Sequence, residues 1–270
     1  MEMAKLKLVS ADGGASISVA LNNSNGTLQS PTVYTLAQYG CGQSVPAIAV
    51  GDFNHDGKLD VAVAVSVPGA NASTCCPAQT PSGDILIFLG NGDGTLQAPT
   101  TISLSYPALS LAAADFSGDG VIDLTVLRVN FYGFPSTTLL SAAVSVLLGN
   151  GNGTFQAPQS VSVPATASEL VVGDFNNDGH FDFATANQKS ISILIGNGDG
   201  TLQSPSTLAV AAGALGVADF NGDGRLDIAC SSNGGSAVSM LLGNGDGTFQ
   251  SPRTSALGDR LADLPEQLWS

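Results

Sequence analysis

Short apolar runs, each four to eight residues long and rich in Val, Ile, Leu and Ala, recur along the whole chain between clusters of Gly, Asn and Asp. Runs of that length with those boundaries predict strands. In the last complete unit, ALGVADF (214–220) enters an Asp-rich loop and LDIACSS (226–232) leaves it. AVSMLLG (237–243) follows, and an NGDGT turn leads into FQSPRT (249–254). No window carries a helical stripe until the tail, where RLADLPEQLW predicts a turn or two. The pattern predicts an all-β chain.

Two motifs alternate through it. DFNHDGKLD (52–60), DFSGDGVID (115–123), DFNNDGHFD (174–182) and DFNGDGRLD (219–227) begin 63, 59 and 45 residues apart. Those spacings are near the ~40–50 residues of a four-stranded propeller blade. NNSNGTLQSP (22–31), GNGDGTLQAP (90–99), GNGNGTFQAP (149–158), GNGDGTLQSP (196–205) and GNGDGTFQSP (243–252) form the second set. The expected domain is one β-propeller of four-stranded antiparallel blades over 45–105, 108–163, 168–210 and 213–254, with a half blade at 15–36 and a tail at 255–270. The half blade is expected to supply only third and fourth strands. Either the tail completes it and closes a ring of five blades, or the sequence is a piece of a longer propeller. Closure would remove exposed strand edges.

Within each nine-residue loop, oxygen-bearing side chains stand at positions 1, 3, 5 and 9: Asp52, Asn54, Asp56 and Asp60; Asp115, Ser117, Asp119 and Asp123; Asp174, Asn176, Asp178 and Asp182; Asp219, Asn221, Asp223 and Asp227. Position 6 is always Gly, which permits a sharp reversal. Position 7 is Lys58, Val121, His180 or Arg225, so only its carbonyl is common to the four loops. Such sets of hard oxygens suit Ca²⁺, whereas Zn²⁺ prefers Cys and His. An EF-hand would need an acid at position 12, where Val63, Val126, Thr185 and Cys230 stand instead. Three carboxylates gathered without a cation repel one another. About four Ca²⁺ ions are therefore expected, tying the first strand of each blade to the second. In the second motif, Asp93, Asp199 and Asp246 give way to Asn152 and Asn25. Asn-Gly and Asp-Gly favour hairpins, so turns are expected there rather than metal.

The D-F-[NS]-x-D-G-x-x-D loops alternating with LGNGDGTF resemble the FG-GAP/VCBS repeats of integrin α-subunit propellers and their bacterial relatives, over nearly the whole chain. The resemblance implies a propeller with calcium in the loop between a blade's first two strands. It also implies an extracellular adhesion or binding role. Integrin-type propellers have seven blades, and this chain departs from them in number.

Composition narrows the function. The formal charge is −14, only 11% of residues are charged, and the eight Lys and Arg form no patch. Nucleic acid is disfavoured as a partner, and no apolar stretch is long enough for a membrane span. The loops hold 12 of the 22 acids, so four Ca²⁺ would reduce the formal charge to −6. The start has no apolar run of a signal peptide, so a secreted or cell-surface location would need a signal outside this sequence. Both histidines, His55 and His180, lie inside the loops, which leaves no base for a Ser or Cys nucleophile. A carboxylate pair would have to draw on Asp84, Glu169 or Asp259. A non-enzymatic module binding a protein or a carbohydrate is expected, with a carbohydrate-active lyase or hydrolase as the alternative.

The ligand is expected on the face opposite the Asp loops, where insertions at 68–83 and 130–141 lie. Phe131, Tyr132 and Phe134 either offer flat rings to a ligand or fold back over the blade. Cys41 is expected close enough to Cys75 or Cys76 for a disulfide, and Cys230 is expected to be a buried thiol.

Overall fold

A computed structural model describes residues 6–11, 16–23, 25, 27–36, 44–67, 82–131, 139–232 and 237–256. Every sheet among them is antiparallel. An opening sheet of three strands contains β1 (Leu6–Ala11), β2 (Ser16–Leu21) and β3 (Thr32–Thr35). The first blade is β4 (Ser44–Gly51), β5 (Asp60–Val67), β6 (Ser82–Phe88) and β7 (Thr100–Leu104). The second is β8 (Ala108–Ala114), β9 (Asp123–Phe131), β10 (Leu139–Leu147) and β11 (Gln159–Val163). The third is β12 (Glu169–Gly173), β13 (Asp182–Asn187), β14 (Ser190–Leu194) and β15 (Ser206–Leu208). The fourth is β16 (Leu215–Ala218), β17 (Asp227–Ser231), β18 (Ala237–Leu241) and β19 (Arg253–Ala256). The chain is a β-propeller of four-stranded blades, as the repeats predict.

The first strands of successive blades lie side by side, β4 against β8, β8 against β12 and β12 against β16. Each blade's strands run almost continuously apolar because alternate residues enter two different cores. Val61, Val63 and Val65 of β5 meet Ile17 and Val19 of the opening sheet, while Ala62 and Ala64 meet Leu124, Val126 and Leu147 of the second blade. Phe183 and Leu194 pack on Leu127 and Val144, whereas Ala184, Ala186 and Ile193 pack on Ile228, Cys230 and Leu241. Four inter-sheet cores therefore separate five sheets. The alanines cluster on inner strands, where a tapering radial stack leaves least room.

One expectation is corrected. The opening segment has three strands rather than two, because Leu6–Ala11 pairs with Ser16–Leu21 through a bulge between Leu6 and Leu8. Lys7 interrupts that stretch and hides its strand pattern. β1 lies against β4, as β5 lies against β8, so it occupies the place of a blade's second strand. The insertions at 68–81 and 132–138 and the tail beyond 256 lie outside the described residues, and with them Cys41, Cys75, Cys76, Tyr132, Phe134 and the side chain of Phe131.

Candidate metal loops

Each Asp loop joins the first strand of a blade to the second, with position 9 opening the second strand. The position 1 carboxylate closes the loop on itself. Asp52 accepts from the N–H groups of Asp56 (3.0 Å) and Gly57 (2.8 Å). Asp115, Asp174 and Asp219 do the same toward positions 5 and 6. The position 5 carboxylate accepts the position 7 amide in every copy, from Lys58, Val121, His180 and Arg225. This wrapping needs left-handed backbone at positions 4 and 6. Gly57, Gly120, Gly179 and Gly224 have φ of 79–85°, and position 4 follows with His55 and Asn177 at 58°, Gly118 at 73° and Gly222 at 76°.

Position 3 separates one loop from the others. The side-chain oxygens of Asn54, Asn176 and Asn221 accept from the position 5 amide. Ser117 instead donates its hydroxyl to Asp115 at 3.4 Å.

Position 9 differs from the other acids. Asp60, Asp123, Asp182 and Asp227 are fully buried, and each spends both oxygens on backbone amides. One oxygen accepts from the position 2 Phe, as Asp60 does from Phe53 at 2.9 Å. The other accepts from the first Gly of the same blade's second motif, namely Gly90, Gly149, Gly196 and Gly243. Burial pushes the carboxyls of Asp60, Asp123 and Asp182 up; the two amide bonds, joined at Asp123 by the Ser117 side chain, oppose that rise, and neighbouring loop carboxylates add to it. The amide-bonded Asp178 and Asp219 are held below the usual range, as is Asp56 beside Lys58. Lys58 reaches Asp56 at 3.0 Å.

The second motif forms turns. Asp93 accepts from the Thr95 amide and hydroxyl, and Asn91 donates to that hydroxyl. Asn25 and Asn152 make the same pair of bonds to Thr27 and Thr154, so a negative charge is not needed there.

Turn and loop also bridge neighbouring blades. Gly153 of the second blade's turn donates to the Phe53 carbonyl of the first blade's loop at 2.9 Å, and Gly247 repeats this with Phe175 at 3.0 Å. Phe53 meets Phe155 edge-on with ring centres 5.6 Å apart, and Phe175 meets Phe249 at 5.7 Å. Sequence reasoning missed this lock, although its signal was present: an apolar residue follows every Asn-Gly-Thr or Asp-Gly-Thr turn.

The donor set of each loop fits a hard divalent cation, being oxygen only: carboxylates at 1 and 5, an amide or hydroxyl oxygen at 3 and the carbonyl at 7. Among the described residues, no three His, Cys, Asp or Glu side chains form a metal cluster by themselves. The neutral oxygens at 3 and 7 would complete the donor set of any site. A carboxylate has about four lone-pair positions, so the position 9 acid retains acceptor capacity beyond its two amide bonds. Cys230 is a free buried thiol, its ionisation pushed up by burial. A small cleft of about 220 Å³ lies between β3 and the first blade, lined by Tyr34, Phe88, Leu96, Gln97 and Pro99.

The model of the FG-GAP-like repeat matches residues 5–63, 76–126, 137–185, 174–230 and 219–264, and that of the FG-GAP repeat matches 44–87. The chain belongs to the FG-GAP-like repeat family. The FG-GAP-like repeats thus overlap every Asp loop described above. No curated protein matches the chain. Among solved structures it is similar to an Agrocybe aegerita lectin that recognises non-reducing terminal N-acetylglucosamine, with 18% identity, 93% of this chain and 80% of that chain covered, and a TM-score of 0.46. That sugar specificity is the lectin's own.

Proposed function

We propose that this propeller is a calcium-stabilised extracellular binding module, without catalytic activity, that takes a protein or glycan ligand on the face opposite its Asp loops. The observation that carries it is fourfold repetition. In every copy, the position 1 and 5 carboxylates fold the loop by accepting its own amides, and the position 9 carboxylate is buried at its end.

In this proposal the ligands are Asp52, Asn54, Asp56, Asp60 and the Lys58 carbonyl; Asp115, Ser117, Asp119, Asp123 and the Val121 carbonyl; Asp174, Asn176, Asp178, Asp182 and the His180 carbonyl; and Asp219, Asn221, Asp223, Asp227 and the Arg225 carbonyl. A bound Ca²⁺ supplies positive charge that offsets carboxylate repulsion. The loops bear on scaffold stability, which leaves recognition to the inserted segments of the far face, including Phe131, Tyr132 and Phe134. A structural cation fits an exported protein, because extracellular modules can rely on weak sites of roughly 10⁻⁴–10⁻³ M.

The test is a calcium titration by calorimetry on chelator-stripped protein, with melting curves alongside. About four ions and a raised melting temperature support the proposal. An unchanged melt with no heat of binding removes it.

A further inference from the structure

Among the described residues, Arg128 is a cation without an anion: no carboxylate forms an ion pair with it. It stands on β9 five residues past Asp123, roughly 17 Å from the Asp loop and toward the opposite face of the propeller. It shares the sheet face of Leu124 and Val126, which meets the first blade. Nε donates to the Ser145 hydroxyl at 3.1 Å, and Nη2 donates to Ser145 at 2.9 Å and to Ser160 at 2.8 Å. Both N–H groups of Nη1 are left without an acceptor among the described residues. The guanidinium is half-buried, so it has lost water without gaining a counter-charge, and burial draws its basicity below the ordinary arginine value. The titratable group that acts on it is the phenol of Tyr106, which is 39% exposed in the connection between the first and second blades.

The other repeats build the same blade without this arginine. Counted from the position 9 acid, its place is held by Val65, Asn187 and Ser232. The hydroxyl pair does recur, as Ser192 opposite Thr207 and as Ser239 with Thr254. Asn187 donates to Ser192, and Ser239 and Thr254 satisfy each other at 2.8 Å. An arginine at this position therefore costs desolvation that the blade itself does not require.

We propose that Arg128, Ser145, Ser160 and Tyr106 form a subsite between the first and second blades for a single carboxylate carried by an acidic sugar. A guanidinium is the side chain best matched to a carboxylate, through charge-assisted hydrogen bonds. A uronic acid is favoured over an acidic peptide side chain because the surrounding groups are hydroxyls. They both donate and accept, as the hydroxyls of a sugar do, and the exposed ring of Tyr106 is a flat apolar face for a pyranose. The net charge of −14 repels polyanions, which restricts the ligand to an isolated acidic unit. The inference rests on the reading of this face as the binding face and names the class of ligand it takes.

The test titrates calcium-saturated protein with glucuronate, and with glucose as its neutral match, followed by saturation-transfer NMR. Glucuronate should bind at least about tenfold more tightly than glucose, the gain of one charge-assisted pair. Arg128→Gln should remove that preference. Ser160→Ala, at an exposed hydroxyl, should weaken glucuronate about threefold with an unchanged melting temperature, and it serves if Arg128→Gln does not fold. Equal binding of the two sugars, or binding of neither, overturns the subsite. Glucuronate binding that survives Arg128→Gln also overturns it, and its loss in chelator would assign the carboxylate to the Asp loops. Binding of N-acetyl-aspartate amide through Arg128, with glucuronate inert, overturns the sugar assignment. Calcium titration of the same proteins separates the two proposals: protein that binds calcium and gains melting temperature but ignores glucuronate fails this inference alone.

Discussion

The backbone N–H of Gly90 donates to Oδ1 of Asp60 at 2.7 Å, across 30 residues of chain, and so staples the Asp loop of a blade to the turn between its third and fourth strands. The staple demands glycine. A Cβ on Gly90 would lie 2.1 Å from the Leu59 carbonyl oxygen, and Gly149, Gly196 and Gly243 face the same obstruction from Ile122, Phe181 and Leu226. The opening sheet, which has no Asp loop beside its turn in the described residues, carries Asn22 at the equivalent bridge. Gly90→Ala should therefore destabilise the protein by about 3 kcal/mol or more, in the range of strained or overpacked sites. Asn22→Ala should stay within about 0.5 kcal/mol, as surface changes usually do. Urea unfolding of both variants checks the contrast.

Asp60→Asn tests the other end of the staple. An amide would keep one acceptor but turn an NH₂ group toward a backbone N–H, leaving a buried donor unpaired. The expected loss is about 2–3 kcal/mol even with chelator present, because the bonds lost are to protein and not to metal. A loss seen only in the presence of calcium would make Asp60 solely a cation ligand. Denaturation with and without chelator distinguishes the two.

His55 holds φ of 58° at loop position 4, where other copies use Gly or Asn. Left-handed backbone is tolerated by His and Asn but poorly by β-branched residues. His55→Gly should leave stability within about 1 kcal/mol, with strain relief offset by greater freedom in the unfolded chain. His55→Val should lower it by about 1–2 kcal/mol. Melting curves in chelator measure the backbone effect without a cation.

The Asp loops and the turns were legible in sequence because their chemistry is local. Ligand spacing, the glycine at position 6 and the Asn-for-Asp exchange at Asn25 and Asn152 can all be judged within ten residues. The special status of Asp60, Asp123, Asp182 and Asp227 was not legible, since it arises from glycines 14–30 residues away that the fold brings alongside. β1 escaped notice for a different reason: its pattern is broken by Lys7, and it becomes a strand by pairing with β2. The Phe53–Phe155 lock required knowing which blades are neighbours.

The turn aspartates give a pH dependence with a defined sign. The Thr hydroxyl and amide that bind Asp93, Asp199 and Asp246 hold these carboxyls below their ordinary value of 3.8. A carboxyl lowered by folding contributes stability above its unfolded pKa and loses it as pH falls from 3.8 through the folded value. Replacing all three by Asn preserves the bonds that Asn152 makes to Thr154 and removes the titration. The triple variant should match the parent near neutrality and fall less steeply in melting temperature below pH 3.8. Parallel acid limbs for the two proteins would show that these turns do not contribute.

Cation affinity should not be equal among the four loops. In 52–60, 174–182 and 219–227 an Asn carbonyl oxygen supplies position 3, and that oxygen has no proton to orient. Ser117 offers a smaller hydroxyl oxygen on a shorter side chain, whose proton is directed at Asp115. The 115–123 loop should therefore release its ion first as chelator is raised, and Ser117→Asn should bring it level with the other three. A site held at 100 times its Kd adds about 2.7 kcal/mol to folding stability. Ser117→Asn should accordingly extend the calcium-dependent rise in melting temperature at low calcium and leave the chelated protein nearly unchanged. Calorimetry would resolve the change as one weak site among about four becoming equivalent to the rest. If the parent protein already titrates as four equal sites, position 3 is not a ligand, and the cation is held by the carboxylates and the position 7 carbonyl alone.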